Sequence, residues 1–217
     1  MTDSIPLLET LAPPARLALA YAPARVRPLA MGLLALDQRL ADTIRGVREP
    51  VLAQLRLAWW RDRLQSVDGD ADRGEPLLAA LAAWGDHRPA LAALADGWEE
   101  MIGEAPLGAG ALSACASARA SGWAALAGLL GHDPAEAGRA AHGWALADLA
   151  PRLSDPDERA AALDLAARHD WRRPALPRDL RSLLVLNGLA RRTRGRAPLL
   201  AGGGAFAAAL RLGLLGR

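Results

Sequence analysis

Between residues 27 and 45, leucine returns at positions 29, 33, 36 and 40, the period of a helix rather than of a strand. The rest of the chain keeps to the same rule, because proline and glycine clusters cut it into stretches of helical length. Helices are expected over 15–22, 24–45, 49–65, a segment ending near Trp84, 89–102, 109–130, 134–153, 156–168, 177–194 and, more weakly, 205–215. Val51, Leu55, Ala58 and Trp59 are expected to form the buried stripe of the third. The joins at 103–108, 131–134, 154–156 and 173–177 are short, which sets successive helices antiparallel in one bundle. Composition agrees. There is one Tyr, one Phe and few β-branched residues, so the side chains that strands favour are scarce while Ala and Leu dominate. The chain reads as all-α, one domain over residues 1–217, and its 52% hydrophobic and 23% charged content excludes wholesale disorder.

Charge is unevenly placed. Residues 1–167 hold 15 arginines against 22 acidic residues, a balance of −7, and residues 168–217 hold 11 against Asp170 and Asp179, a balance of +9. This basic stretch suits either phosphates, anionic lipid or an acidic partner, or a solvated face balanced by the acidic remainder. Lysine is absent, a pattern that a GC-rich coding bias accounts for. The single cysteine, Cys115, excludes an intramolecular disulfide and a thiolate metal cluster. Residues 1–11 carry Asp3 and Glu9 and no basic segment, unlike a signal peptide, and the apolar stretch 197–215 is interrupted by Gly202, Gly203, Gly204 and Arg211. A cytoplasmic location is expected, with peripheral contact to the inner membrane as a further option.

Most catalytic signatures are missing. No Gly-x-Ser-x-Gly elbow or phosphate-binding Walker loop occurs, and Gly108-Ala-Gly110 neither follows a strand nor completes the dinucleotide pattern. His87, His132, His142 and His169 show no helical ligand spacing to one another. Asp68-Gly-Asp70-Ala-Asp72 starts like a calcium loop, but Arg73 stands where the sharp turn needs glycine and Ala79 where the bidentate glutamate belongs, so it reads as a polar turn. Asp96, Glu99, Glu100 and Glu104 fall at three- and four-residue spacing, a pattern open to a divalent cation or to a solvated acidic face.

Trp59-Trp60-Arg61 is the most informative local feature. Adjacent indoles on a helix point about 100° apart, so one can enter the core while the other lines a groove. Arg56 lies one turn before Trp60, and Arg63 one turn after Trp59. Two stretches around this triplet, Leu19-Ala-Tyr21-Ala-Pro23…Arg27-Pro-Leu29…Leu36-Asp37 and Arg48-Glu49-Pro50…Gln54-Leu-Arg56-Leu-Ala-Trp59-Trp60-Arg61-Asp62, resemble the first helices and the Arg-Leu-x-Trp-Trp-Arg segment of squalene/phytoene synthases. Weaker similarities follow at Asp96-Gly-Trp98-Glu99, in the small-residue run 122–131 and at Leu176-Pro177; residues 15–65 are the best-matched part.

That resemblance implies an all-α isoprenoid synthase fold around a central apolar cavity. It also implies head-to-head joining of prenyl diphosphates, with magnesium held by two aspartate-rich motifs on facing helices. Departure of a diphosphate leaves a cation behind, and divalent ions are needed to neutralise the leaving group. Both motifs look degraded. Of the first, only Asp42 fits; Ala41 and Arg45 occupy its other acidic places, and Asp37, about 500° round the helix from Asp42, does not restore the pair. In the second, Asp148 is alone on its face, followed by Pro151 and Pro156. The chain is shorter than the family's enzymes, so the bundle is expected to be truncated at its C-terminal end.

Two functional expectations follow. The first is a non-catalytic binding or assembly protein, similar to the family's complex I assembly factor branch, with no cofactor. The second is a working transferase of squalene/phytoene synthase type, in which Mg2+ sits at Asp42 opposite Asp148 or Glu99 and Arg56 or Arg61 holds diphosphate. In either, Tyr21, Arg56, Trp59, Trp60 and Arg61 are expected to line a groove for a prenyl diphosphate, a lipid-like ligand or a protein partner. Arg191, Arg192, Arg194 and Arg196 are expected to form a basic surface for a membrane or an acidic subunit. Without aromatic interleaving or a helix-turn-helix, nucleic acid is not an expected partner.

Overall fold

The computed structural model describes residues 4–45, 49–66 and 74–216, and the chain is all-α, with no strand among those residues. The calcium-like run from Asp68 to Asp72, with Arg73, lies outside the described residues. The helices are α1 (Ser4–Thr10), α2 (Pro13–Leu19), α3 (Arg27–Arg45), α4 (Pro50–Gln65), α5 (Pro76–Leu81), α6 (Ala92–Glu99), α7 (Ala109–Leu129), α8 (Pro134–Leu149), α9 (Pro156–Arg168), α10 (Arg181–Thr193) and α11 (Gly204–Leu215). Helix α1 has no counterpart in the sequence reading.

An acidic residue followed by proline opens four of these helices, at Glu49-Pro50, Glu75-Pro76, Asp133-Pro134 and Asp155-Pro156. Proline is pre-shaped for the first helical position, where its missing N–H is no loss. At three of the four starts the acid also caps: Glu75 accepts the Leu77 N–H at 3.2 Å, Asp133 that of Ala135 at 2.9 Å, and Asp155 those of Asp157 and Glu158 at 2.8 and 3.1 Å. The Glu49 side chain makes no such bond. Proline and glycine also shorten two expected helices. The segment 82–91 is a 3₁₀ stretch, with Gly85 at φ 51° and Pro89 inside it, so α6 starts only at Ala92. Pro151 likewise converts the end of α8 into a 3₁₀ turn over Ala150–Arg152.

Helices α7 and α8 share the largest interface, with α6 also against α7, α10 against α8, and α11 against α10. The close approach of α7 to its neighbours depends on Gly122, where an added Cβ would lie 2.7 Å from Leu33 and 3.0 Å from Leu94. Leu33, Leu36, Leu40, Trp84 and Trp123 fill the centre.

The expected stripe of α4 is corrected by the structure. Ala53, Leu57, Trp60 and Leu64 are buried, whereas Val51, Leu55 and Trp59 are exposed and Ala58 is half-buried. Apolar residues lie on both sides of this helix, so spacing alone did not say which side meets the core. No described helix is long and apolar enough to cross a membrane.

Candidate functional site

Helix α7 carries one charged side chain, Arg119, in a run that is otherwise Ala, Gly, Ser, Leu, Cys and Trp. It points between α3 and α8 and is 4% exposed. Its Nε donates to Asp37 Oδ1 and Oδ2 at 3.0 and 3.1 Å, and its Nη2 to Asp37 Oδ2 at 2.8 Å and Asp148 Oδ2 at 2.9 Å. Nη1 reaches the Ala145 carbonyl at 3.3 Å. The guanidinium also lies 4.4 Å from the centre of the Trp144 ring and 5.3 Å from that of Trp98, within cation–π range.

The carboxylates are closed from the other side as well. Trp98 Nε1 donates to Asp37 Oδ1 at 2.9 Å, and Arg152 Nη2 to Asp148 Oδ1 at 2.9 Å. Two carboxylates thus face two guanidiniums, and the charges cancel. Burial acts to lower the Arg119 pKa, but the charges of Asp37 and Asp148 outweigh it and raise that value. Burial acts to raise the Asp148 pKa, yet Arg119 and Arg152 hold it below the usual carboxylate range. One turn before Arg119, burial pushes the Cys115 thiol up to about 12, so it stays protonated and unreactive.

Magnesium takes about six oxygen ligands at about 2.0–2.1 Å and keeps several of its waters. Here each oxygen of Asp37 and Asp148 already accepts an N–H, and the positive charge between them belongs to Arg119. These residues do not fit a metal ion. No group of three or more His, Cys, Asp or Glu among the described residues is placed to hold one. The cavity at the cluster is about 30 Å³, room for about two waters and not for a prenyl chain. The central cavity implied by the resemblance is filled at this point.

The expected metal pair does not converge. Asp42 stands on an exposed face of α3, bonded by Arg45 at 2.8 Å and Gln38 at 2.9 Å. The α3 carboxylate that meets Asp148 is Asp37, because five residues turn the helix to a different face. Glu99 and Asp96 do not hold a cation either: both take Arg61 of α4, at 2.5 Å each.

The expected groove divides. Arg56, Trp59 and Trp60 do come together, with Arg39, Asp42 and Thr43, around a concavity of about 370 Å³. The two indoles meet edge to face at 5.0 Å; Trp60 is 4% exposed and Trp59 is 41% exposed. Arg39 lies over Trp60 and Arg63 over Trp59. Arg61 is drawn away to α6, and Tyr21 lines a different cleft with Arg27, Arg178 and Arg181.

The basic surface is partly ordered by the fold. Arg194 ends α10 in the left-handed conformation, at φ 48°, and Arg192 reaches Gly204 at the start of α11. Arg191 is half-buried; burial and then Arg173, Arg194 and Arg139 lower its pKa. Arg196 is exposed.

Sequence reasoning missed Arg119, Arg152, Trp98 and Trp144 as one cluster. The available signal was the lone charge of α7, which no nearby residue in the chain could neutralise. The squalene/phytoene synthase family model matches residues 14–106, from α2 to just beyond α6. No curated protein and no solved structure matches the chain. The family match takes in Asp37, Asp42 and the tryptophan pair and stops short of Arg119 and Asp148.

Proposed function

We propose that this squalene/phytoene synthase-like chain is a non-catalytic binding or assembly protein, cytoplasmic and without a metal cofactor. The observation that carries this reading is Arg119. It supplies, from within the protein, the positive charge that a metal-dependent diphosphate transferase takes from divalent ions. Removing Arg119 from that position would strand two buried carboxylates, so the pairing is not readily exchanged for a cation.

What binds is read from α4. Val51, Leu52, Leu55 and Trp59 leave an exposed apolar stripe at helical spacing, beside the concavity of Arg56 and Trp60. Such a stripe suits a partner helix laid along it, or a prenyl chain with its diphosphate on Arg56 and Arg39. A second reading, an active prenyl diphosphate transferase, is favoured by the family match over residues 14–106. It requires magnesium at Asp42, whose carboxylate is held by Arg45.

Calorimetric titration with a non-hydrolysable farnesyl thiodiphosphate, with and without magnesium, separates the two. The binding reading expects either no heat or a magnesium-independent signal that Trp59→Ala removes. Magnesium-dependent binding at micromolar affinity would overturn it in favour of the transferase.

A further inference from the structure

Helix α11 is apolar all round apart from Arg211, yet it is buried on one side only. Ala205, Ala209 and Leu212 face the bundle, and Gly188 of α10 lets the Leu212 side chain settle against the α10 backbone. Phe206, Leu210 and Leu214, one turn apart, project outward at 53 to 65% exposure, joined by Leu215. A helix that is apolar on every face calls for cover on every face.

The surroundings of this face indicate what covers it. Helix α11 runs antiparallel to α10: Arg192 near the end of α10 meets Gly204, while Arg181 at the start of α10 donates to the Leu212 carbonyl at 3.2 Å. Cations therefore flank the apolar face at both ends. At the far end, Leu214 borders a cleft of about 510 Å³ lined by Tyr21, Arg27, Arg178 and Arg181, with no acidic residue among the described residues of its wall. Among the described residues, Arg27 donates to the Ala22 carbonyl and Arg181 to that of Leu212. The nearby carboxylate, Asp179, is taken by Arg25 and His132. An apolar strip between two sets of guanidiniums complements acyl chains lying under phosphate headgroups. A second copy of the chain would instead set these like charges against one another.

We propose that the outer face of α11 docks on an anionic phospholipid surface, with Phe206, Leu210 and Leu214 entering the headgroup layer. Arg178, Arg27 and Arg192 contact phosphates around it. This site is separate from the Arg119 cluster and does not depend on how that cluster is read.

The test is sedimentation of the full chain with phosphatidylcholine vesicles, and with the same vesicles containing phosphatidylglycerol, at low and high salt. Binding is expected to the anionic vesicles and to weaken at high salt. Leu210→Gln with Leu214→Gln should lower partitioning by about tenfold or more at an unchanged melting temperature, since both side chains are exposed. Arg178→Gln with Arg192→Gln should lower it by about fivefold per charge, on anionic vesicles only. No binding at low salt, equal binding to both vesicles, or binding indifferent to these variants would overturn the proposal. A dimer that Leu210→Gln with Leu214→Gln dissolves, without vesicle binding, would assign the face to a second copy. Soluble glycerol phosphate competing away all binding would make the cleft a free-anion site instead.

Discussion

Arg119 and Arg178 are the same side chain put to opposite uses. Arg119 is enclosed, with two carboxylates, a backbone carbonyl and two indole faces around it. Arg178 stands in an open cleft with no acid among the described residues of its wall. A charge satisfied from within stabilises one arrangement of helices and leaves nothing to offer a ligand. A charge left facing water beside apolar surface keeps its attraction for an anion. The chain thus closes the region where its resemblance implies chemistry and leaves two others open, the α4 groove and the α11 face.

The sharpest way to break this contrast is Arg119→Ala. It strands Asp37 and Asp148 in the core and should cost about 3–5 kcal/mol in chemical denaturation; Arg178→Ala should change stability by about 0.5 kcal/mol or less. If both substitutions are equally mild, the enclosed cluster is not a structural centre.

The tryptophan pair offers a second contrast. Trp60→Ala should cost about 3–5 kcal/mol, as expected for a buried indole. Trp59→Ala should cost under about 1 kcal/mol and act on ligand or partner binding instead. A Trp59 variant as unstable as the Trp60 one would mean that the exposed face of α4 is part of the core.

Packing between α6 and α7 comes next. An added Cβ at Gly97 would overlap the Ala118 methyl. Gly97→Ala should therefore cost about 1–3 kcal/mol through forced helix separation.

The smallest effect concerns pH. Burial, then the charges of His142 and Arg139, lowers the His169 pKa to about 4, against about 6.5 in an unfolded chain. The unfolded state therefore binds more protons in that interval, and stability falls as pH drops from about 6.5 to about 4. His169→Gln should flatten the slope, removing on the order of 1 kcal/mol of the loss across that interval, the imidazole being partly exposed. Asp148 acts lower still: its depressed pKa gives stability that is present above about pH 4 and is lost as pH falls through the folded value. An unchanged slope in the His169 variant would remove that group from the pH response.

Much of the fold was legible in the sequence for local reasons. Leucines at helical spacing gave α3, and prolines marked the starts of α4, α8 and α9 to within a residue or so. The burial of α4 was misread because its apolar residues occupy two faces, and the positions of α6, the 3₁₀ stretch 82–91 and α3 decide between them. The site was less legible still. Arg119 is 82 residues from Asp37 and 29 from Asp148, and periodicity carries no information across such distances. Asp42 drew attention because it fits a motif; Asp37 matters because of the face it occupies.

The most direct test of the closed cluster is the melting temperature of the wild-type protein with and without millimolar magnesium, beside the same pair of measurements on Asp148→Asn. A ligand at free concentration L that binds only the folded state stabilises it by RT ln(1 + L/Kd) and so raises the midpoint. With Arg119 between the carboxylates, the account predicts no magnesium-dependent shift in the wild type. A rise of several degrees in the wild type that disappears in Asp148→Asn would contradict it, showing that a divalent ion displaces the guanidinium.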